Sequence, residues 1–253
     1  VWFSTLGETD LTTANAASRL RLGAKEWEPA SSFWDAQDVN DHAPKIWWDG
    51  DRTLYHIVEG RQHGDIVIRR SIDNGVAWSK SEVMRAHGES AGNPIRTRAG
   101  VIAIPFDFSG LCISRDNGKT WSDTGRDRRG SDDIRPGGQG PFIAGIHSPI
   151  VELADGRLMA FGRLSAQEPV REHFNEGPIL LCSFTDEART PFKERKGLTF
   201  KSTTGDYTGT GLYATVSYDE GKTWPARRLV APEGKITADS NGYLAITQTR
   251  DGR

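Results

Sequence analysis

The sequence is short of cysteine, has no long apolar run and carries no excess charge of either sign. Each shortage removes a class of protein. Only two cysteines, Cys112 and Cys182, occur in 253 residues. A zinc site needs four convergent ligands, and these two form no CxxC pair. Two buried thiols are expected, because an isolated cysteine behaves as a small hydrophobe, and spacing alone does not say whether they pair. The longest apolar runs, such as residues 101–105, are strand-sized, far below the ~18 apolar residues of a membrane helix. Lys and Arg total 32 against 34 Asp and Glu, which leaves no basic footprint for nucleic acid and no polybasic membrane anchor. No GxSxG elbow, HExxH helix or P-loop is present. Gly137-Gly138-Gln139-Gly140 is glycine-rich but has no parallel βαβ context. No metal, cofactor, nucleic acid or membrane partner is expected.

Punctuation is abundant instead. The 28 glycines and 12 prolines favour many short strands over long helices. The chain opens in what reads as mid-strand, Val1-Trp2-Phe3-Ser4, and closes on Thr249-Arg250-Asp251-Gly252-Arg253, which reads as an unfinished hairpin. The expectation is a piece of a larger protein, truncated at both ends.

One pattern occurs three times: Ser71-Ile72-Asp73-Asn74-Gly75-Val76-Ala77-Trp78, Ser114-Arg115-Asp116-Asn117-Gly118-Lys119-Thr120-Trp121 and Ser217-Tyr218-Asp219-Glu220-Gly221-Lys222-Thr223-Trp224. The shared form, S-x-D-x-G-x-[T/A]-W, is hairpin chemistry. Gly takes φ > 0 without steric cost. The Asp carboxylate can accept backbone N–H bonds within the turn and the Ser hydroxyl can add a local bond. Trp then opens the next strand with a large apolar face. An apolar strand precedes each copy: 65–69, 111–113 and 212–216.

A second repeat lies upstream of these turns. Ala43-Pro44-Lys45-Ile46-Trp47-Trp48 leads to a glycine turn at Gly50, Asn93-Pro94-Ile95-Arg96 to one at Gly100, and Ser148-Pro149-Ile150-Val151 to one at Gly156. Each reads as a strand, a tight turn and a second strand, and a fourth copy begins at Asn241-Gly242-Tyr243. Pro44 and Pro94 are 50 residues apart and Pro94 and Pro149 are 55 apart, close to the ~40–50-residue period of propeller blades. The longer interval that follows predicts an insertion at about 165–211. Ser18-Arg19-Leu20-Arg21-Leu22-Gly23-Ala24-Lys25-Glu26-Trp27 keeps Gly and Trp of the turn pattern without its Asp, and reads as the end of an earlier unit.

The threefold turn resembles the Asp box, or BNR repeat, of the sialidase (neuraminidase) superfamily, and the resemblance extends over nearly the whole chain. It implies an all-β fold, a β-propeller of four-stranded antiparallel blades. The family has six blades, incomplete here, and residues 1–253 would form one domain. The box would join the third and fourth strands of a blade, on the side away from the active site, so Asp73, Asp116 and Asp219 are expected to be structural.

A propeller gathers its site where the innermost strands begin. The repeat puts Asn40-Asp41-His42, Asn93 with its neighbours, Ala144-Gly145-Ile146-His147 and Ala238-Asp239-Ser240-Asn241 at that point. Asp41 and Asp239 are candidates for general acid or base, since desolvation at a channel mouth raises a carboxyl pKa. Equally, they suit backbone hydrogen bonding in the entry loop. His42 and His147 each stand two residues before a proline, and the repeat symmetry would bring them together as catalytic candidates. Asn241 and Tyr243 are candidates for substrate binding. An acidic sugar would call for arginine, whose fork binds a carboxylate bidentately. Arg96 and Arg163 are the candidates by position on inner strands. The resemblance also implies an arginine triad and a Tyr–Glu nucleophile pair. However, the family's Arg-Ile-Pro motif is absent, the nearest echo being Asn93-Pro94-Ile95-Arg96, and Tyr207, Glu168, Glu172 and Glu176 remain open for the pair.

These readings point to a secreted or periplasmic exo-acting glycoside hydrolase of carbohydrate metabolism that cleaves terminal, acidic sugars from a glycan or polysaccharide. Two alternatives stay open. One is a polysaccharide lyase or non-sialic glycosidase on uronate-containing polysaccharide; the other is a non-catalytic carbohydrate-binding propeller.

Overall fold

A computed structural model of the chain describes residues 2–4, 13–37, 39–60, 65–85, 90, 92–106, 110–124, 143, 147–164, 198–202, 205–209, 211–224, 226–232 and 246. The regular structure is all β, in antiparallel sheets of two to four strands, with no helix among the described residues. The chain divides into two compact units, Val1–Glu89 and Ser90–Arg253.

In the first unit β1 (Trp2–Ser4), β2 (Ala14–Ala17) and β3 (Ser31–Trp34) form a three-stranded sheet. The segment that keeps Gly and Trp but lacks Asp is the turn between β2 and β3. Gly23 adopts φ +85° there and Ala24 N donates to Arg21 O at 2.9 Å. The next sheet takes its strands in chain order: β4 (Asp41–Trp48), β5 (Leu54–Gly60), β6 (Asp65–Ser71) and β7 (Glu82–Arg85). β5 and β6 carry the core of this unit, with Tyr55, Ile57, Val58, Ile66 and Ile68 all buried.

The second unit repeats that order with β8 (Ile95–Arg96), β9 (Ile102–Pro105), β10 (Leu111–Ser114) and β11 (Ser122–Asp123). It follows with β12 (Ile150–Glu152) and β13 (Leu158–Leu164), the separate hairpin β14 (Leu198–Ser202) and β15 (Gly205–Gly209), then β16 (Gly211–Ser217) and β17 (Ala226–Pro232). β13 pairs directly with β16. The chain therefore makes an excursion between the second and third strands of this sheet, and β14–β15 is part of it. Ala103, Leu111, Ile143, Ile150, Leu158, Ala160 and Trp224 form one buried cluster linking both four-stranded sheets of the unit. Gly221 lies so close to Leu111 that an added Cβ would stand 2.3 Å from its Cδ1. Cys112 is buried on β10, and Cys182 lies outside the described residues.

One strand differs from the sequence reading. Asp41 and His42 were expected just before the first strand, but both belong to β4, opposite Gly60 and Glu59. A bulge between His42 and Lys45 absorbs Ala43 and Pro44. Proline has no N–H for the ladder, and the bulge lets pairing resume beyond it.

Candidate functional site

The three repeated turns form congruent clasps, each between the third and fourth strands of its sheet. Ser71, Ser114 and Ser217 donate through Oγ to Oδ1 of Asp73, Asp116 and Asp219 at 2.7, 2.8 and 2.8 Å. The same hydroxyls accept the N–H of Gly75, Gly118 and Gly221, each at 2.8 Å. The carboxylates then take N–H groups further round the turn, Ala77 at 3.0 Å, Thr120 at 2.9 Å and Thr223 at 2.8 Å. Two consecutive residues in the left-handed region make this possible: Asn74 and Gly75, Asn117 and Gly118, Glu220 and Gly221. The bonds stabilise the ionised form and lower the acid pKa values. Ala77 N and the Ser71 hydroxyl lower that of Asp73, and the Thr120 hydroxyl and N–H lower that of Asp116 well below the usual range. Burial opposes the shift at Asp219, but bonds from Thr223 and Ser217 outweigh it. These carboxylates are engaged by their own turns.

The other end of the first sheet, where β4 begins and β5 ends, is built differently. His42 and Glu59 are directly opposite each other across the ladder. Both side chains are largely buried, and His42 Nδ1 stands 3.9 Å from Glu59 Oε2, too far for a hydrogen bond. Glu59 Oε2 is buried without a hydrogen-bond partner among the described residues. Leaving a buried polar group unsatisfied costs roughly 1–3 kcal/mol. The backbone beside it is strained, with Ala43 at φ +46°. Alanine has no ready means of relieving that conformation. The buried Lys45 reaches back to donate to Ala43 O at 3.0 Å. Glu59 was not legible as a site residue in the sequence, where it looks like the polar end of an apolar strand.

Asp41, next to His42, has both carboxyl oxygens occupied. Trp34 Nε1 donates to Oδ1 at 3.1 Å and Ala36 N to Oδ2 at 2.8 Å. Burial pushes its pKa up, and these two bonds partly offset the rise. Behind Asp41 a polar chain crosses the interior of the unit. Asn15 Nδ2 donates to Asp41 O at 2.9 Å, and Asn15 Oδ1 lies 3.1 Å from Nε2 of the fully buried His56. Arg69 donates to His56 Nδ1 from Nε at 3.2 Å. This fixes the imidazole as the tautomer with hydrogen on Nε2. Burial first, and then the Arg69 charge, push the His56 pKa down to about 3. The Arg69 guanidinium sits over Trp34, Phe33 and Trp78, 4.3, 4.8 and 5.4 Å from their ring centres. The charge is thus held by aromatic faces and its carrier is locked against an imidazole that stays neutral.

In the second unit His147 precedes Ser148-Pro149 and adopts φ +54° with its side chain half-buried. Phe161 N donates to Pro149 O at 3.1 Å, continuing the β12–β13 pairing toward the same end. Arg163 lies on β13 opposite Leu212, near that end of the strand. Arg96 points to the clasp end of its sheet, where Nη1 donates to Asn117 Oδ1 at 2.8 Å and to Gly100 O at 3.3 Å. Asp239, Asn241 and Tyr243 lie outside the described residues, as do Glu168, Glu172 and Glu176. Asp41 and His42 belong to the first unit and His147, Arg96 and Arg163 to the second. Among the described residues no three His, Cys, Asp or Glu side chains group as a metal site, and no helix is long and apolar enough to cross a membrane.

No family model matches the chain, and no curated protein matches it. Among solved structures it is similar to a protein of unknown function from Dyadobacter fermentans, with a TM-score of 0.50 and 15% identity over 89% of this chain and 60% of that one. It also aligns with the Hadza microbial sialidase Hz136, with a TM-score of 0.47 and 14% identity over 85% of this chain and 40% of that one. The NanB sialidase of Streptococcus pneumoniae gives 0.35 and 12% over 92% and 28%. The chain therefore spans 60% and 40% of the first two proteins. At such identities the likeness to the Dyadobacter protein is one of fold.

Proposed function

We infer that the chain is part of a sialidase-like β-propeller, an exported exo-acting glycoside hydrolase that removes terminal acidic sugars from glycans. The observation that carries this reading is the clasp. It occupies the same topological position in three four-stranded sheets, with the same hydrogen bonds and the same pair of left-handed residues. Four-stranded antiparallel sheets repeated along a chain in this way are the building unit of propellers. The clasp end is then architectural, and chemistry belongs to the end where the first strands begin. In this reading His42, His147 and Asp239 serve proton transfer, while Arg163, Asn241 and Tyr243 hold the substrate. Asp41 supports the site from behind by fixing Trp34 and the 36–41 turn. Arg96 is the weakest member, being tied to Asn117 at the far end.

The test is turnover. The protein, in the longest form that expresses, is assayed for sugar release from sialosides and from uronate-containing polysaccharides. Release of a terminal acidic sugar with a free reducing end is expected. Products bearing a new C=C bond would mark a lyase and overturn the hydrolase reading. No turnover combined with tight glycan binding would replace it with a binding propeller.

A further inference from the structure

The strand order gives each sheet an internal ruler. Leu54 of β5 pairs with the clasp serine Ser71, and Leu158 of β13 pairs with the clasp serine Ser217. Counting along the second strand from that point, Glu59 and Arg163 occupy the same register position, one residue before the strand ends at Gly60 and Leu164. Apolar or small residues fill most of the stretch leading there. A charged residue thus recurs at the unclasped end of the second strand, on a sheet whose clasp serine and aspartate are hydrogen-bonded within their own turn.

Three independent features single out the position in the first sheet. Glu59 is buried, yet its Oε2 has no hydrogen-bond donor among the described residues. Its cross-strand neighbour His42 faces it at 3.9 Å. The strand that carries His42 is bulged and strained at Ala43, and bulges and left-handed non-glycine residues concentrate where a side chain is being aimed. An acceptor buried without a donor weakens the fold, and because Oε2 itself is closed to solvent, a donor from outside would meet this carboxyl at its other oxygen. A hydroxyl group is the donor that suits a carboxyl oxygen beside an imidazole, because it gives one hydrogen bond and can take another.

We propose that Glu59, with His42 beside it, forms a subsite that accepts a hydrogen bond from a sugar hydroxyl. This rests on the glycan reading above and adds a residue to it. Glu59 is a substrate-contacting group, and Arg163 marks the equivalent position in the third four-stranded sheet.

The experiment pairs stability with binding. Glu59→Met is close in size and carries no polar side-chain oxygen or nitrogen; Glu59→Gln keeps the shape and removes the charge. Thermal melting is compared with the parent protein. Titration with galactose, glucuronic acid and N-acetylneuraminic acid as free sugars is followed by calorimetry. Both variants are expected to melt at or above the parent temperature. Affinity for whichever sugar the parent binds is expected to fall by about tenfold or more, the size of one lost hydrogen bond to a charged group. If both variants melt well below the parent, the carboxyl is held by the protein itself and the subsite is overturned. If both bind the sugar as tightly as the parent does, the subsite falls while the glycan reading stands. If the parent binds none of the three sugars, the glycan reading falls and takes the subsite with it.

Discussion

The two ends of the first four-stranded sheet solve opposite problems. At the clasp, Ser71 and Asp73 take up the N–H groups of Gly75, Val76 and Ala77, and the indole of Trp78 donates to Gly75 O at 3.2 Å. At the other end a buried carboxyl oxygen has no donor among the described residues, the strand is bulged, and Ala43 is held at φ +46°. The Ser–Asp–Gly bonds of the first end repeat in two further sheets, where the indole N–H groups of Trp121 and Trp224 have no partner among the described residues. The second end is strained. A left-handed non-glycine residue stands at this strand entry in both units, Ala43 in one and His147 in the other, and such strain concentrates where function is to be sought.

The comparison breaks most visibly if the clasp end proves dispensable. Trp224 is fully buried in the cluster with Leu111, Ile143 and Leu158. Trp224→Ala is expected to cost about 3–5 kcal/mol, measured by denaturant unfolding. Next in size is a pair of glycines. Gly221 needs φ +85° and has Leu111 against it, whereas Gly100 needs φ +81° in open space. Gly221→Ala should cost about 2–4 kcal/mol from backbone strain and overpacking together, and Gly100→Ala about 1–2 kcal/mol from strain alone. Equal losses at the two sites would refute the packing described around Leu111.

Two pH effects sharpen the contrast further. His56 is held neutral in the folded protein, with its pKa pushed from 6.5 to about 3. The unfolded chain takes up a proton below 6.5 and the folded one does not. Stability from this residue is therefore complete above pH 6.5 and drains away as pH falls toward 3, at up to about 1.4 kcal/mol per pH unit. Asp41, whose pKa is raised by burial, acts with the opposite sign just above its ordinary value, so the parent is compared with His56→Gln. Glutamine keeps an acceptor for Arg69 and a donor for Asn15, and its melting temperature should fall less between pH 6.5 and 4. The smallest effect concerns Asp116. Its folded pKa is depressed, so its contribution is present above about pH 4 and is lost as pH falls below that value. Asp116→Asn should flatten the acid limb of the melting curve below pH 4 and leave the limb above pH 5 unchanged.

The clasp was legible in the sequence because its chemistry is local. Ser, Asp and Gly at fixed spacing satisfy one another within eight residues, and a threefold copy makes the spacing stand out. Strand order followed, since each turn has an apolar run before it. The site was less legible because its partners are distant in sequence. Glu59 meets His42 across a ladder whose register depends on a bulge at Ala43 and Pro44, and no spacing rule announces a bulge. Arg69, His56 and Asn15 form their chain across three strands of two sheets, and each looks unremarkable in its own segment. The matching histidines show the same limit. Both stand two residues before a proline, yet the left-handed residue is Ala43 in one case and His147 itself in the other. Equal spacing did not produce equal backbone.

The most direct test sets the two ends against each other in one assay. On a glycan that the parent turns over, kcat/KM is measured for His42→Ala and for Asp116→Asn, both checked for folding by circular dichroism. His42→Ala should lose about a hundredfold or more, as removal of a proton-transfer group does, while Asp116→Asn stays within about twofold of the parent, a loss of under roughly 0.5 kcal/mol. Full activity in His42→Ala, or a collapse of activity in folded Asp116→Asn, would contradict the assignment of chemistry to the end where the first strands begin.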